Sequence, residues 1–175
     1  MDVKTIQVYD EGAAIFAREW EDEQEPPSDL QEALKAYFQK GLTIDVGCGS
    51  GRDTAWLVGQ GFDAIGIDAS TGLIAEACRR HPGVRFENNT LPELVGLGNS
   101  LYENVLCETV IMHLQKTDAA ASVARLVQLL GQGGTIYLSW RVTEGADYRD
   151  DKGRLYAAFQ SDIVREVLND LETLV

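Results

Sequence analysis

The chain has 175 residues, 45% of them hydrophobic, and a formal net charge of −13; that length suits one domain that buries about two-thirds of its unfolded surface in a single core. The acids gather in residues 19–25, 147–151 and 162–172 with no basic stripe against them, so a phosphate backbone is repelled and nucleic acid is set aside as a partner. No apolar run approaches the ~20 residues that span a bilayer, which sets a membrane aside as well.

Most of the acids read as solvated surface. The first ten residues carry neither the basic start nor the apolar core of an export signal, so a cytoplasmic location is expected. Cys48, Cys78 and Cys107 are odd in number, widely spaced and set in apolar contexts, a pattern of reduced, buried thiols rather than of a disulfide framework or a zinc site. No metal is expected.

In chain order, Tyr9, Phe16 and Trp20 lie on the apolar stripe of an amphipathic N-terminal helix. An acidic, proline-bearing linker follows over residues 21–27. Ser28 then opens a second helix, with Gln31 three positions on to complete a capping box and Leu30, Leu34, Tyr37 and Phe38 as its stripe, and Gly41 ends it. Beyond it, strands are predicted over residues 43–46, 64–67, 84–86, 105–107 and 135–140, with helices over 53–58, 71–80 and 117–130. Gly59 and Gly61, Pro82-Gly83, and Gly131, Gly133 and Gly134 punctuate these elements. The alternation implies an α/β doubly wound, mostly parallel sheet with helices on both faces and a ligand at the carboxyl ends of the strands.

Residues 43–53, T-I-D-V-G-C-G-S-G-R-D, place an apolar strand, a three-glycine turn and a helix start in one short span. So tight a turn presses backbone against a ligand without intervening Cβ atoms, and the next helix turns its free N–H groups toward that ligand. Asp63-Ala64-Ile65-Gly66-Ile67-Asp68 reads as a second buried strand ending in a carboxylate placed to accept both hydroxyls of a ribose. Helix capping is the competing role for Asp68, but Ser70 is an equally good N-cap and frees it. Together the two segments outline a βαβ cofactor site.

Four ordered segments, Ile44-Asp45-Val46-Gly47-Cys48-Gly49-Ser50-Gly51, Gly66-Ile67-Asp68-Ala69-Ser70, Tyr102-Glu103-Asn104-Val105-Leu106 and Leu129-Leu130-Gly131-Gln132-Gly133-Gly134, resemble the motifs of class I S-adenosylmethionine-dependent methyltransferases. Gly51-Arg52-Asp53, Val110-Ile111-Met112-His113-Leu114 and Trp140-Arg141 look like the small-molecule members, including the tellurite-resistance type. The rival dinucleotide fingerprint spaces its glycines G-x-G-x-x-G to admit a pyrophosphate. Here Gly47, Gly49 and Gly51 give G-x-G-x-G, the third glycine one residue early. A nicotinamide-dependent oxidoreductase and a cofactor-binding protein without turnover stay open as alternatives.

The resemblance implies S-adenosylmethionine as cofactor, S-adenosylhomocysteine as product and a small molecule as acceptor. It implies backbone contacts from Gly47, Cys48, Gly49, Gly51 and Ala69, and places Asp45 near the cofactor's amino group, Arg52 near its carboxylate and Asp68 on its ribose. Asn89, Thr90 and Leu91 fall at the adenine, with Thr90 where the family usually carries an acid. Cys107 and Glu108 fall beside the departing methyl, Glu108 as a candidate to orient or deprotonate the acceptor. His113 falls where related enzymes show a His on the helix after the fourth strand, as a general base or a packed structural residue. The N-terminal helix becomes a lid in which Tyr9 touches the cofactor. Three parts follow within one domain: a lid over residues 1–40, a cofactor-binding core over 41–141 and a C-terminal segment over 142–175.

The family's sheet normally finishes with a helix and two more strands, whereas this sequence stops at Val175, so a strand is expected to be missing. Residues 162–175 read as an amphipathic helix with Ile163, Val167, Leu171 and Leu174 on one face. The fifth strand therefore has a bare edge, expected to be covered by the tail, by residues beyond Val175 or by a second copy in a homodimer.

Overall fold

In the computed structural model, residues 1–169 and 171 are described, and β1 (Leu42–Val46), β2 (Asp63–Asp68), β3 (Arg85–Asn88), β4 (Tyr102–Glu108) and β5 (Leu130–Ser139) form one sheet. The order is β3-β2-β1-β4-β5, and every neighbouring pair is parallel. The chain winds outward from β1 to β3, then returns to the other side of β1 as β4. The crevice between β1 and β4, at the carboxyl ends, is thus the topological switch point where ligands bind in such sheets.

Alternation along the strands decides what covers each face. Ile44 and Val46 of β1 and Val105 and Cys107 of β4 pack with Ala119, Val123 and Leu126 of α5 (Lys116–Leu129) and with Val164 of α6 (Ser161–Leu168). Ala64 of β2 and Leu106 of β4 turn the other way, against Leu30 and Leu34 of α2 (Ser28–Tyr37) and Leu57 of α3 (Arg52–Gly59). Leu57, Leu106 and Leu126 have no solvent exposure, and cutting any of them to Ala costs about 2–5 kcal/mol. α4 (Thr71–Arg80) begins at a true cap, the Ser70 hydroxyl accepting from the Leu73 N–H at 3.1 Å.

α1 (Val3–Glu21) lies across α4, burying Ala13 and Phe16 against Leu73. The approach is close: a Cβ at Gly72 would stand 2.8 Å from the Asp10 carbonyl oxygen. The Asp10 carboxylate fixes the crossing, accepting from the Gly72 N–H at 2.8 Å and the Ser70 hydroxyl at 2.7 Å.

Several expectations are corrected. The capping box at Ser28 does not form: Pro27 is the cap residue, Ser28 is already helical, and its hydroxyl turns to Asp29 at 3.1 Å. That helix ends at Tyr37, ahead of Gly41. Cys78 is exposed on the outer face of α4, not buried, whereas Cys107 is buried and Cys48 partly so. Residues 142–160 hold an unforeseen antiparallel hairpin of β6 (Tyr148–Arg149) and β7 (Leu155–Tyr156). Ile163 and Val167 pack against the core, as their spacing implies, while Leu174 lies outside the described residues. Among the described residues the sheet ends at β5, and no helix is long and apolar enough to cross a membrane.

Candidate active site

A cleft of about 470 Å3 opens at the switch point, within the usual size of a small-molecule site. Its floor is the glycine turn. Gly47, Gly49 and Gly51 have φ of +83°, +57° and +91°, in the left-handed region that side chains avoid. A Cβ at Gly47 would stand 2.2 Å from Val110 and one at Gly51 2.5 Å from the Phe86 ring, so these two glycines serve internal packing. At Gly49 the Cβ would meet only Trp20, at 3.0 Å, across the cleft. The missing Cβ of Gly49 thus faces a residue of the cleft wall, Trp20.

Among the described residues the first N–H groups of α3, on Arg52, Asp53 and Thr54, have no partner, whereas four of the turn's N–H groups are engaged within the fold. Those of Gly47 and Cys48 donate to the Ile67 carbonyl at 2.7 and 3.0 Å, and that of Gly51 to the Cys48 carbonyl at 2.9 Å. The Gly49 N–H donates to Asp68 Oδ2 at 3.0 Å, while Asp68 Oδ1 accepts from the Ser70 N–H at 2.8 Å. Each carboxylate oxygen therefore keeps a lone pair for a second donor. Burial pushes the Asp68 carboxyl above its ordinary value, against the opposing pull of these N–H groups.

Asp45 lies on the α3 side of β1, only 3% exposed, with the Thr54 hydroxyl donating to its Oδ2 at 2.6 Å. Burial pushes its carboxyl up to about 8, with the Asp53 charge adding to the effect. A cation entering beside it restores the charged form, since an opposite charge offsets the desolvation that neutralised it. Arg52 is already engaged: its Nε and a terminal nitrogen each lie 3.0 Å from the Asp53 carboxylate, and another donates to the Trp20 carbonyl at 3.2 Å.

The sequence-predicted residues Tyr9, Asp45, Gly47, Cys48, Gly49, Arg52, Asp68, Ala69, Asn89, Thr90, Leu91, Glu108 and His113 all line this cleft. Two predicted residues do not. Gly51 lies beneath the turn, and Cys107, inside β4, points toward α5 and has no solvent exposure. Burial raises its thiol strongly, so it is no nucleophile. The Asn89 amide is also taken: Oδ1 accepts from the Thr90 and Val95 N–H groups, each at 3.0 Å, and Nδ2 donates to the Val95 carbonyl at 2.9 Å. It shapes the loop.

His113 sits in a short 3-10 turn, Ile111–His113, instead of the expected helix. Its Nδ1 is 2.6 Å from the Leu155 carbonyl and its Nε2 3.1 Å from the Tyr9 hydroxyl. A carbonyl only accepts, so Nδ1 carries the proton and Nε2 accepts from Tyr9. Burial lowers the imidazole below its ordinary value, keeping it neutral. His113 braces Tyr9. Glu108 is less enclosed, with Oε2 accepting from the Ser139 hydroxyl at 2.6 Å at the end of β5.

Sequence reasoning missed Lys152, Arg154 and Tyr156, which reach the cleft from the hairpin. A signal was present in Asp150-Asp151-Lys152-Gly153. The Gly153 N–H donates to the Asp150 carbonyl at 2.8 Å, and Gly153 has φ of +96°, the glycine of a short hairpin loop.

A family model described as a methyltransferase domain matches residues 43–134, from β1 through the start of β5. The chain belongs to the methyltransferase domain family. It is 32% identical over 116 residues to a trans-aconitate 2-methyltransferase of Deinococcus radiodurans, covering 63% of this chain and 42% of that protein. It is 34% identical over 100 residues to a ubiquinone biosynthesis O-methyltransferase of Methylococcus capsulatus, covering 55% and 41%. The chain spans about half the length, or less, of the curated relatives it matches. In fold it is similar to the Burkholderia thailandensis 1,6-didemethyltoxoflavin-N1-methyltransferase solved with its acceptor and S-adenosylhomocysteine, with a TM-score of 0.69, 23% identity and 95% of this chain and 75% of the other covered. The resemblance read in the four motifs is thereby confirmed at the level of family and fold.

Proposed function

We propose that this methyltransferase-family chain binds S-adenosylmethionine and transfers its methyl group by in-line displacement to a small-molecule acceptor. The observation that carries the reading is Asp68, pinned between the N–H groups of Gly49 and Ser70 with a lone pair open on each oxygen. The two open lone pairs suit the vicinal hydroxyls of a ribose. Ala69, Thr90 and Leu91 line the adenine side, and Asp45 stands at the cationic end.

The glycine spacing favours this cofactor over a dinucleotide: a pyrophosphate is admitted by G-x-G-x-x-G, whereas Gly47, Gly49 and Gly51 give G-x-G-x-G, and an adenosyl group needs only close approach of backbone, as at Gly49.

When bound, the cofactor supplies a methyl group already activated on a sulfonium. The residues then have to align and desolvate, which contributes about 7–11 kcal/mol in well-oriented cases. α1 contributes Tyr9, Phe16 and Trp20 to the wall, and these aromatics keep water from one side of the cleft. Glu108 is the group placed to hold or accept an acceptor proton, and His113 acts through Tyr9. The two relatives above are named for small-molecule acceptors, which supports that class without fixing the compound.

Calorimetric titration with S-adenosylmethionine, S-adenosylhomocysteine and NAD tests the cofactor. Binding of the first two without the third is expected, and binding of NAD alone overturns the reading. Turnover against a panel of acceptors then separates an enzyme from a binding protein.

A further inference from the structure

The hairpin side of the cleft is basic, in a chain whose net charge is −13. Arg141, Lys152 and Arg154 line it, all from the stretch that follows β5. Asp150 fixes Arg154 from outside the cleft, with Nε 2.7 Å and a terminal nitrogen 2.6 Å from Oδ2, and another terminal nitrogen donates to the Tyr9 hydroxyl at 3.2 Å. Those contacts engage three of the five N–H groups a guanidinium carries and leave two. The rings of Tyr9, Phe16 and Tyr156 lie 5.5, 5.4 and 5.9 Å from its central carbon, holding the fork in one orientation.

Lys152 is tied down as well, 3.4 Å from Glu19 and 4.4 Å from the centre of the Phe16 ring. Arg141 differs: it is exposed at the mouth and forms no ion pair or hydrogen bond among the described residues. A held guanidinium and an unpaired one lining the same cleft make a receptor for an anion, because a guanidinium fork matches the two oxygens of a carboxylate or phosphate.

We propose that this wall is the acceptor subsite and that the acceptor carries an anionic oxygen group, a carboxylate or a phosphate, received by Arg141 and Arg154. The proposal rests on the reading of the cleft as a methyltransferase site. It explains why a hairpin outside the cofactor motifs is fastened to α1 by the Leu155 N–H, which donates to the Thr5 hydroxyl at 2.9 Å. Lid and anion receptor are held as one unit.

The test titrates protein saturated with S-adenosylhomocysteine with tricarballylate, glycerol 3-phosphate and their uncharged counterparts, tricarballylamide and glycerol. At least one anion is expected to bind about tenfold tighter than its counterpart, and the preferred anion identifies the group. R141Q is expected to weaken that anion about tenfold with the melting temperature unchanged, since Arg141 braces nothing. R154Q is expected to weaken it too, with a lower melting temperature. Equal binding of charged and uncharged probes, binding of neither anion, or an R141Q that binds the anion like the parent chain overturns the proposal. If S-adenosylhomocysteine itself fails to bind, the cofactor reading falls and this proposal with it.

Discussion

Replacing Asp68 separates its two jobs, because its carboxylate holds the glycine turn and offers lone pairs to the ligand. Asp68→Ala removes two acceptors for ribose hydroxyls, and a hydrogen bond to a charged group contributes about 1.5–3 kcal/mol. The affinity for S-adenosylhomocysteine is therefore expected to fall by about 10²–10⁴-fold. The substitution also leaves the N–H groups of Gly49 and Ser70 without this partner. At about 1 kcal/mol each in a partly exposed place, the loss lowers the melting temperature by about 4–8 °C. Asp68→Asn keeps the shape but turns an NH₂ toward one of the two N–H donors, so it falls between Ala and the parent in both measurements. Calorimetry gives the affinity, and circular dichroism melts confirm that each variant is folded. A folded Asp68→Ala that binds S-adenosylhomocysteine within about threefold of the parent would refute the assignment.

Two further predictions concern the floor of the cleft. Asp45 holds a proton up to about pH 8 in the folded chain, whereas the unfolded chain releases it near pH 4. Stability is therefore expected to decline as pH rises from about 4 to 8, by up to about 1.4 kcal/mol per unit from this group. Affinity for the cationic S-adenosylmethionine rises over the same window, and Asp45→Asn flattens both; melts and titrations at pH 5–9 in which parent and variant run parallel would contradict this. Gly51→Ala meets the Phe86 ring at 2.5 Å with φ of +91°, so a loss of at least about 2 kcal/mol is expected in denaturant titrations. Gly49→Ala, facing the cleft, should instead spare most of the stability and weaken cofactor binding. Equal effects of the two on stability would contradict this division of roles.

The sheet was legible in the sequence because burial on both faces forces unbroken apolar runs, as in Ala64-Ile65-Gly66-Ile67, and because glycines mark the turns between them. The glycine-turn end of the cleft was legible for a related reason: Asp68, Gly47 and Gly49, which line it, sit in short contiguous segments where sequence neighbours are also neighbours in space. The failures were of another kind. Cys107 adjoins Glu108 in sequence, yet strand alternation sends it into the α5 face, and only the sheet's pairing tells the two apart. Asn89 reads as a free amide until the loop curls to place Val95 against it. His113 and Arg154 are 41 positions apart and are joined through the hydroxyl of Tyr9, more than a hundred positions upstream. Such long-range polar contacts leave no local pattern, and the acceptor wall, built from them, was the part least visible.

A crystal structure with S-adenosylhomocysteine is the most direct test of the cofactor site. The adenosine is expected over Gly49, with both ribose hydroxyls donating to Asp68 and the amino group beside Asp45. Density for the ligand elsewhere, or a cleft in which Asp68 touches no hydroxyl, would contradict the assignment.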